Sequence, residues 1–73
     1  MAKFEAKSDV NGTVWKVQTQ PGQKVANGDV LILIESMKME IPVIAEDDGT
    51  IISISVKEGV VVAEGQVVVI LEG

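Results

Sequence analysis

The 73-residue chain contains no Cys, His, Arg or Tyr, and its six lysines against eleven acids give a net charge of −5. A domain of this size buries roughly 60% of its unfolded surface, which leaves little room for an enclosed substrate pocket. Without His or Cys, the common general bases, nucleophiles and transition-metal ligands are missing, and the negative charge disfavours a nucleic-acid partner.

Strands are predicted along most of the chain because Val and Ile are frequent and glycines recur at intervals too short for helices. The segment Met1–Ser8 either pairs as an edge strand or stays frayed, and Trp15 is expected in the core or at a strand edge. Which side chains of 30–34 and 67–71 face inward is undecided, because continuous apolar runs lack alternation. In chain order, the predicted strands cover residues 3–6, 12–18, 30–35, 39–45, 49–56 and 67–72, with short extended pieces around Val25 and Val62.

An internal repeat organises the chain, since residues 11–35 align with residues 48–72 at a shift of 37 positions. Each half is too small to bury its own apolar face, so the two halves are expected to pack about a pseudo-twofold axis. The repeat therefore predicts a small all-β sandwich or flattened barrel, with residues 1–73 as one domain. Eight of the 25 aligned pairs are identical: Gly12/Gly49, Thr13/Thr50, Gly22/Gly59, Val25/Val62, Ala26/Ala63, Gly28/Gly65, Val30/Val67 and Glu35/Glu72.

The segment between the two halves contains an unusual turn. If residues 30–35 and 39–45 are strands, only a few residues around Met37 and Lys38 remain to reverse the chain, and neither is the Gly, Asn or Asp that tight hairpins prefer. Glu, Met and Lys favour helices, so a helix over Glu35–Glu40 is the alternative, although Pro42 opposes its extension. Such a conflict between local propensity and overall pattern is typical of a functional site.

Lys38 places one amine between two thioether side chains, those of Met37 and Met39. Exposed methionines adapt to partner surfaces, whereas in the alternative interpretation both pack in the core and Lys38 is a solvated turn residue. The acidic segment 46–48 is interpreted as a solvated turn, because no calcium-loop spacing follows it.

The hexapeptide Glu-Ser-Met-Lys-Met-Glu at residues 35–40 lies midway between two Gly-x-x-Val-x-x-Gly half-repeats. On this pattern the chain resembles the biotinyl/lipoyl attachment domain family, and within it the biotin carboxyl carrier branch, over residues 10–72. The resemblance implies a barrel-sandwich hybrid, which is a flattened β-barrel of two four-stranded antiparallel sheets with pseudo-twofold symmetry. It also implies an attachment hairpin at 35–40, at the end of the molecule opposite the termini.

The resemblance assigns roles to five residues of this hairpin. Lys38 is the acceptor whose amine forms an amide with the biotin carboxyl group, and Met37 and Met39 match flanking methionines associated with recognition and carboxylation. Glu35 matches an acid common to the biotinyl and lipoyl branches. Ser36 departs from the usual Ala of the biotin branch, and lipoyl domains often have Ser or Thr there but follow it with Asp-Lys-Ala.

The implied function is a biotin carrier that moves a carboxyl group between a biotin carboxylase site and a carboxyltransferase or decarboxylase site, after modification by a biotin protein ligase. Such a carrier needs no base or metal of its own, because the cofactor and the partner enzymes hold the chemistry. The alternatives are a lipoyl carrier of an acyl-transfer or glycine-cleavage complex, against which Met37 and Met39 count, and an unmodified β-sandwich interaction module. An autonomous enzyme is the least expected function.

The remaining expectations concern location and association. The longest apolar runs, Val30–Ile34 and Val67–Leu71, have five residues each, against the ~18 of a membrane span, so no membrane contact is expected. The first residues include the acids Glu5 and Asp9 and do not resemble a secretory signal. We expect a cytoplasmic monomer.

Overall fold

The computed structural model describes residues 2–73, over which the Val- and Ile-rich runs form eight β-strands. Three strands end earlier than predicted, at Val17, Ile44 and Ile54, because their pairing with the neighbouring strand ends there. The strands are β1 Lys3–Lys7, β2 Gly12–Val17, β3 Lys24–Val25, β4 Val30–Ser36, β5 Met39–Ile44, β6 Gly49–Ile54, β7 Val61–Val62 and β8 Val67–Glu72.

The strands form two four-stranded sheets, in the orders β1-β8-β6-β3 and β5-β4-β2-β7. Every pair of neighbouring strands is antiparallel. The predicted all-β fold of two four-stranded antiparallel sheets is therefore confirmed. None of the elements over residues 2–73 is a helix long and apolar enough to cross a membrane.

The pseudo-twofold symmetry extends beyond the sequence repeat. The 37-residue shift relates β2 to β6, β3 to β7 and β4 to β8, and it also relates β1 to β5, so that one sheet order becomes the other. The N-terminal segment, which shows no sequence repeat, forms β1 and pairs with β8 as an edge strand. Equivalent turns share their backbone geometry, since Gly22 has a φ of 89° and Gly59 a φ of 90°.

Two β-bulges determine which apolar side chains fill the core between the sheets. The register shifts around Leu31 in β4 and around Val68 in β8, so that one extra residue is inserted into each strand. As a result, the neighbours Leu31 and Ile32 are both fully buried, and so are Val68 and Val69. The bulges therefore decide the inward-facing residues that continuous apolar runs left undecided.

A bulge also explains the position of Trp15, which was expected in the core or at a strand edge; of these two placements, the core is wrong. The register of β2 against β4 shifts between Val14 and Lys16, which leaves Trp15 as the extra residue. Its side chain is 46% exposed, and Lys16 Nζ lies 5.6 Å from the centroid of its ring. The symmetry-related Ile52 in β6 is exposed as well.

The two ends of the elongated molecule, which measures 36 × 18 × 18 Å, are chemically different. At the tip end, residues 37–38 connect β4 to β5. Strand β5 then runs away from this turn to the loop 45–48, after which Gly49 lies against the carbonyl of Glu72. The backbone N–H of Gly73 donates to the carbonyl of Ala2 at this terminal end. The turn and the chain ends at Ala2 and Gly73 are therefore at opposite ends.

Candidate functional site

The chain reverses between β4 and β5 in a two-residue turn. Ser36 pairs with Met39, and Glu35 pairs with Glu40, so only Met37 and Lys38 lie outside the ladder. Their φ angles are 49° and 67°, and positive values at both central residues are the signature of a type I′ hairpin. The alternative of a helix over 35–40 is therefore wrong, because the pairing of the strands overrides the local helix propensity.

This turn is strained, because residues with a Cβ are unfavourable in the left-handed region. The cost is roughly 1–2 kcal/mol per residue. Within residues 2–73, Met37 and Lys38 are the only non-glycine residues with positive φ. Backbone strain of this kind concentrates at functional sites. The conflict noted in the sequence is thus present in the structure as a strained turn.

The two side chains of the turn and that of Met39, the first residue of β5, project into solvent. Met37 is 92% exposed and Met39 is 63% exposed, so the alternative that packs both in the core is wrong. Lys38 is exposed between them. A primary amine on a four-methylene arm at such a position fits a cofactor that is held through an amide bond.

Hydrogen bonds connect the base of the hairpin to two neighbouring loops. The Ser36 hydroxyl donates to the backbone carbonyl of Asn11, with an oxygen–oxygen distance of 2.9 Å. The Asn11 side-chain oxygen accepts a hydrogen bond from the backbone N–H of Glu64 at 2.7 Å. Ser36 stands where the biotin branch usually has Ala, and its hydroxyl connects the hairpin to the loop before β2.

Close packing of β2 against the end of β4 also supports the hairpin. A Cβ added at Gly12 would lie 2.5 Å from the carbonyl oxygen of Glu35 and 2.8 Å from Ile34 Cγ2. Both distances are too short for any side chain, so glycine is required for this approach. The same relation occurs at the terminal end, where a Cβ at Gly49 would lie 2.8 Å from the carbonyl oxygen of Glu72.

Two carboxylates lie opposite each other immediately below the turn. Glu35 and Glu40 are directly paired across β4 and β5, and both are exposed. Like charges in this arrangement disfavour the strand pairing. Glu64, whose backbone N–H donates to the Asn11 side chain, is a third acidic residue in the loop linked to the base of the hairpin.

Asn11 also belongs to this site, although its local sequence does not single it out. Its repeat partner is Asp48, and the two side chains act alike, since an Asp48 carboxylate oxygen accepts from the backbone N–H of Asn27 at 2.8 Å. The repeat carries the signal, which is a short oxygen-bearing side chain directly before Gly-Thr in both halves. Over residues 2–73, no group of three or more metal-ligating side chains comes together, and Asp48 serves as a backbone acceptor.

The sequence profile of the family described as "Biotin-requiring enzyme" matches residues 5–71. The chain belongs to this biotin/lipoyl family. The predicted family assignment is confirmed, and the tip turn at 37–38 is at the middle of the matched region.

The chain is similar to a small relative and to part of a large one. The chain is 40% identical to the biotin/lipoyl attachment protein of Bacillus subtilis over 40 residues, which is 55% of each protein. It is 50% identical to the alpha3 subunit of a biotin-dependent acyl-coenzyme A carboxylase of Mycobacterium leprae over 42 residues, which is 58% of this chain and 7% of that subunit. The matched region thus spans about half of a small relative and a small part of a large one.

Solved structures of the family share the fold. The urea carboxylase of Kluyveromyces lactis matches with a TM-score of 0.93 and 32% identity, over 99% of this chain and 6% of that one. The lipoyl domain of the 2-oxoglutarate dehydrogenase complex of Azotobacter vinelandii matches with a TM-score of 0.74 and 28% identity, over 93% of this chain and 96% of that one.

Proposed function

We propose that this chain is a biotin carrier domain that is acylated at Lys38 and carries a carboxyl group between the active sites of a carboxylase. The single observation that supports this most is the exposed amine in a strained two-residue turn between two exposed methionines. Biotin as the cofactor agrees with the "Biotin-requiring enzyme" family and with relatives named as biotinylated proteins in Mycobacterium leprae and other mycobacteria. When bound, biotin supplies the nitrogen that accepts and releases the carboxyl group.

The attachment step is an acyl transfer to Lys38. The deprotonated Nζ attacks the carbonyl carbon of an activated biotin carboxyl group, the N–C bond forms, and the activating group leaves with the electron pair of the broken C–O bond. The amine loses one proton to solvent. Activation of the carboxyl group is the task of a biotin protein ligase, which uses ATP as the co-reactant.

The hairpin contributes position rather than reactivity. The short turn keeps Lys38 at the extreme end of the molecule, and Ser36 and Glu35 keep the base of the hairpin in register with β2. Met37 and Met39 present adaptable apolar surface on either side of the amine. We propose that biotin carboxylase and carboxyltransferase components are the later partners, which agrees with the carboxylase relatives.

A lipoyl carrier is the second candidate. The match to a lipoyl domain and the hydroxyl of Ser36 favour it. Met37 and Met39 stand where lipoyl domains typically have Asp and Ala, and they count against it. The amide-forming role of Lys38 is the same in both cases.

Intact-mass measurement after co-expression with biotin protein ligase, and separately with lipoate ligase, tests the proposal. We expect one biotinyl group per chain, which is lost in Lys38→Arg because the guanidinium is not a nucleophile at neutral pH. Lys57→Arg is the matched control and should retain the modification. Modification with lipoate alone would support the second candidate, and modification with neither cofactor would contradict both.

A further inference from the structure

The pseudo-twofold symmetry supplies an internal control for every surface residue. Val60 directly precedes β7, and Val61 is its first residue. Gln23 and Lys24 hold the equivalent places at β3. Their backbones are held alike, since the N–H of Val14 donates to Val60 at 2.8 Å and the N–H of Ile51 donates to Gln23 at 2.9 Å. The fold therefore accepts polar residues at this position.

The apolar pair is nevertheless strongly exposed. Val61 is 74% exposed and Val60 is 40% exposed, while the next residue, Val62, is buried like its equivalent Val25. Exposed apolar surface gives nothing to the core, and Lys24 shows that a charged side chain serves the same backbone position. Core packing does not account for Val61, and adjacent exposed apolar residues close to the Lys38 hairpin are the kind of surface that contacts another protein.

The apolar pair belongs to the end of the molecule that carries Lys38. Thr13 in β2 pairs with Glu35 at the base of the hairpin on one side and with Val61 on the other. Val61 is thus two inter-strand spacings, about 10 Å, from the strand that leads into the turn. Lys24 lies at the other end, where it lines a shallow cleft with Glu72 and Gly73.

We propose that Val60 and Val61, together with Met37 and Met39, form one docking surface, here called the tip surface, for biotin protein ligase. The proposal rests on the proposed function, because it names the partner of the Lys38 site. The ligase is the occupant because its active site must approach within bonding distance of Nζ on the short lysine arm. An enzyme that approaches so closely covers the neighbouring strands, including β7.

The charge around the tip surface indicates which kind of partner surface fits it. Glu35 and Glu40 lie immediately below the turn, and Glu64 follows β7 by two residues, so a complementary partner surface has an apolar centre and a basic rim. A carboxylase that reacts with the far end of the longer biotinyl-lysine arm has less need to contact β7. The tip surface is therefore assigned to attachment and not to carboxyl transfer.

The test exchanges the residues of the two equivalent positions. In the first variant, Val60→Gln and Val61→Lys give the tip end the residues of the terminal end, and in the matched control, Gln23→Val and Lys24→Val do the reverse. Biotinylation rates are measured by intact mass at increasing carrier concentration. We expect the first variant to raise the KM of the ligase for the carrier about tenfold, with kcat within about twofold, because apolar contact is lost on binding. The control should leave both constants unchanged.

Further measurements separate docking from damage. Val61→Gln, which adds no charge, should also raise KM, and acylation of Lys38 by a small N-hydroxysuccinimide ester should proceed at the wild-type rate in every variant. Thermal unfolding should show that all variants fold. An unchanged KM in the first variant overturns the proposal, even if that variant has weaker binding to a carboxylase or weaker self-association. An equal rise of KM in the Gln23→Val and Lys24→Val control also overturns it. Failure of wild-type Lys38 to be biotinylated would instead contradict the proposed function.

Discussion

At the scale of single residues, position and not chemistry distinguishes Lys38. The chain has six lysines with the same amine, and Lys38 is the one placed in a two-residue turn at the extreme end of the molecule. Its neighbours Met37 and Met39 are exposed, although methionine is normally a core residue. The strain and the exposure both lower the stability of the fold. We therefore infer that contacts with other molecules, and not folding, explain the residues of the turn.

The strain in the turn leads to a prediction about stability. Met37→Asn should raise the free energy of unfolding by about 0.5–1 kcal/mol, because Asn tolerates positive φ, whereas Met does not. Met37→Val should lower it by a similar amount, since a branched Cβ is least tolerated there. Urea denaturation of the two variants measures the difference. Equal midpoints would contradict a strained left-handed conformation at residue 37.

At the scale of secondary-structure elements, the hairpin depends on the close approach of β2 to β4. Gly12 permits this approach at the tip end, and Gly49 permits the equivalent approach of β6 to β8 at the terminal end. The two glycines have the same structural task. They differ in what lies beside them, which is the Lys38 hairpin in one case and the two termini in the other.

This equivalence allows a paired prediction. Gly12→Ala and Gly49→Ala should each destabilise the domain by about 1–3 kcal/mol, because the added Cβ forces the strands apart. Only Gly12→Ala should also lower kcat/KM for biotinylation under conditions in which both variants are folded. Circular dichroism melts and intact-mass kinetics provide the two measurements. A loss of biotinylation in Gly49→Ala would show that the effect is general and not local to the hairpin.

At the scale of the whole molecule, one small core supports both ends. A domain of this length is stable by roughly 4–11 kcal/mol, so a single core residue accounts for much of the total. The buried residues come from both sheets, and Ile34 lies beneath Gly12 on the strand that leads into the turn. Stability and presentation of the lysine are therefore coupled.

The coupling predicts different outcomes for two isoleucines. Ile34→Ala should lower the free energy of unfolding by about 2–5 kcal/mol, because it leaves a cavity in a fully packed core. Ile52→Ala, at an exposed position, is the control and should cost less than about 1 kcal/mol. Urea denaturation measures both, and the biotinylated fraction after growth at elevated temperature should fall for Ile34→Ala alone. A small effect of Ile34→Ala would contradict a shared core.

The sequence by itself determined the family, the eight strands to within two residues and the amine at residue 38. These features depend on local composition and on a repeat at a shift of 37 positions, both of which are visible along the chain. All of the strands predicted from Val and Ile runs are present, and the motif at 35–40 coincides with the hairpin between β4 and β5.

Only the tertiary structure decided the rest. The bulges at Leu31, Val68 and Trp15 each insert a residue without changing composition, so the inward-facing side chains and the exposure of Trp15 had no local signal. The pairing of β1 with β8 and the hydrogen bond between Asn11 and Glu64 join residues far apart in the chain. Such contacts depend on how the two halves pack, and this is a property of the folded molecule.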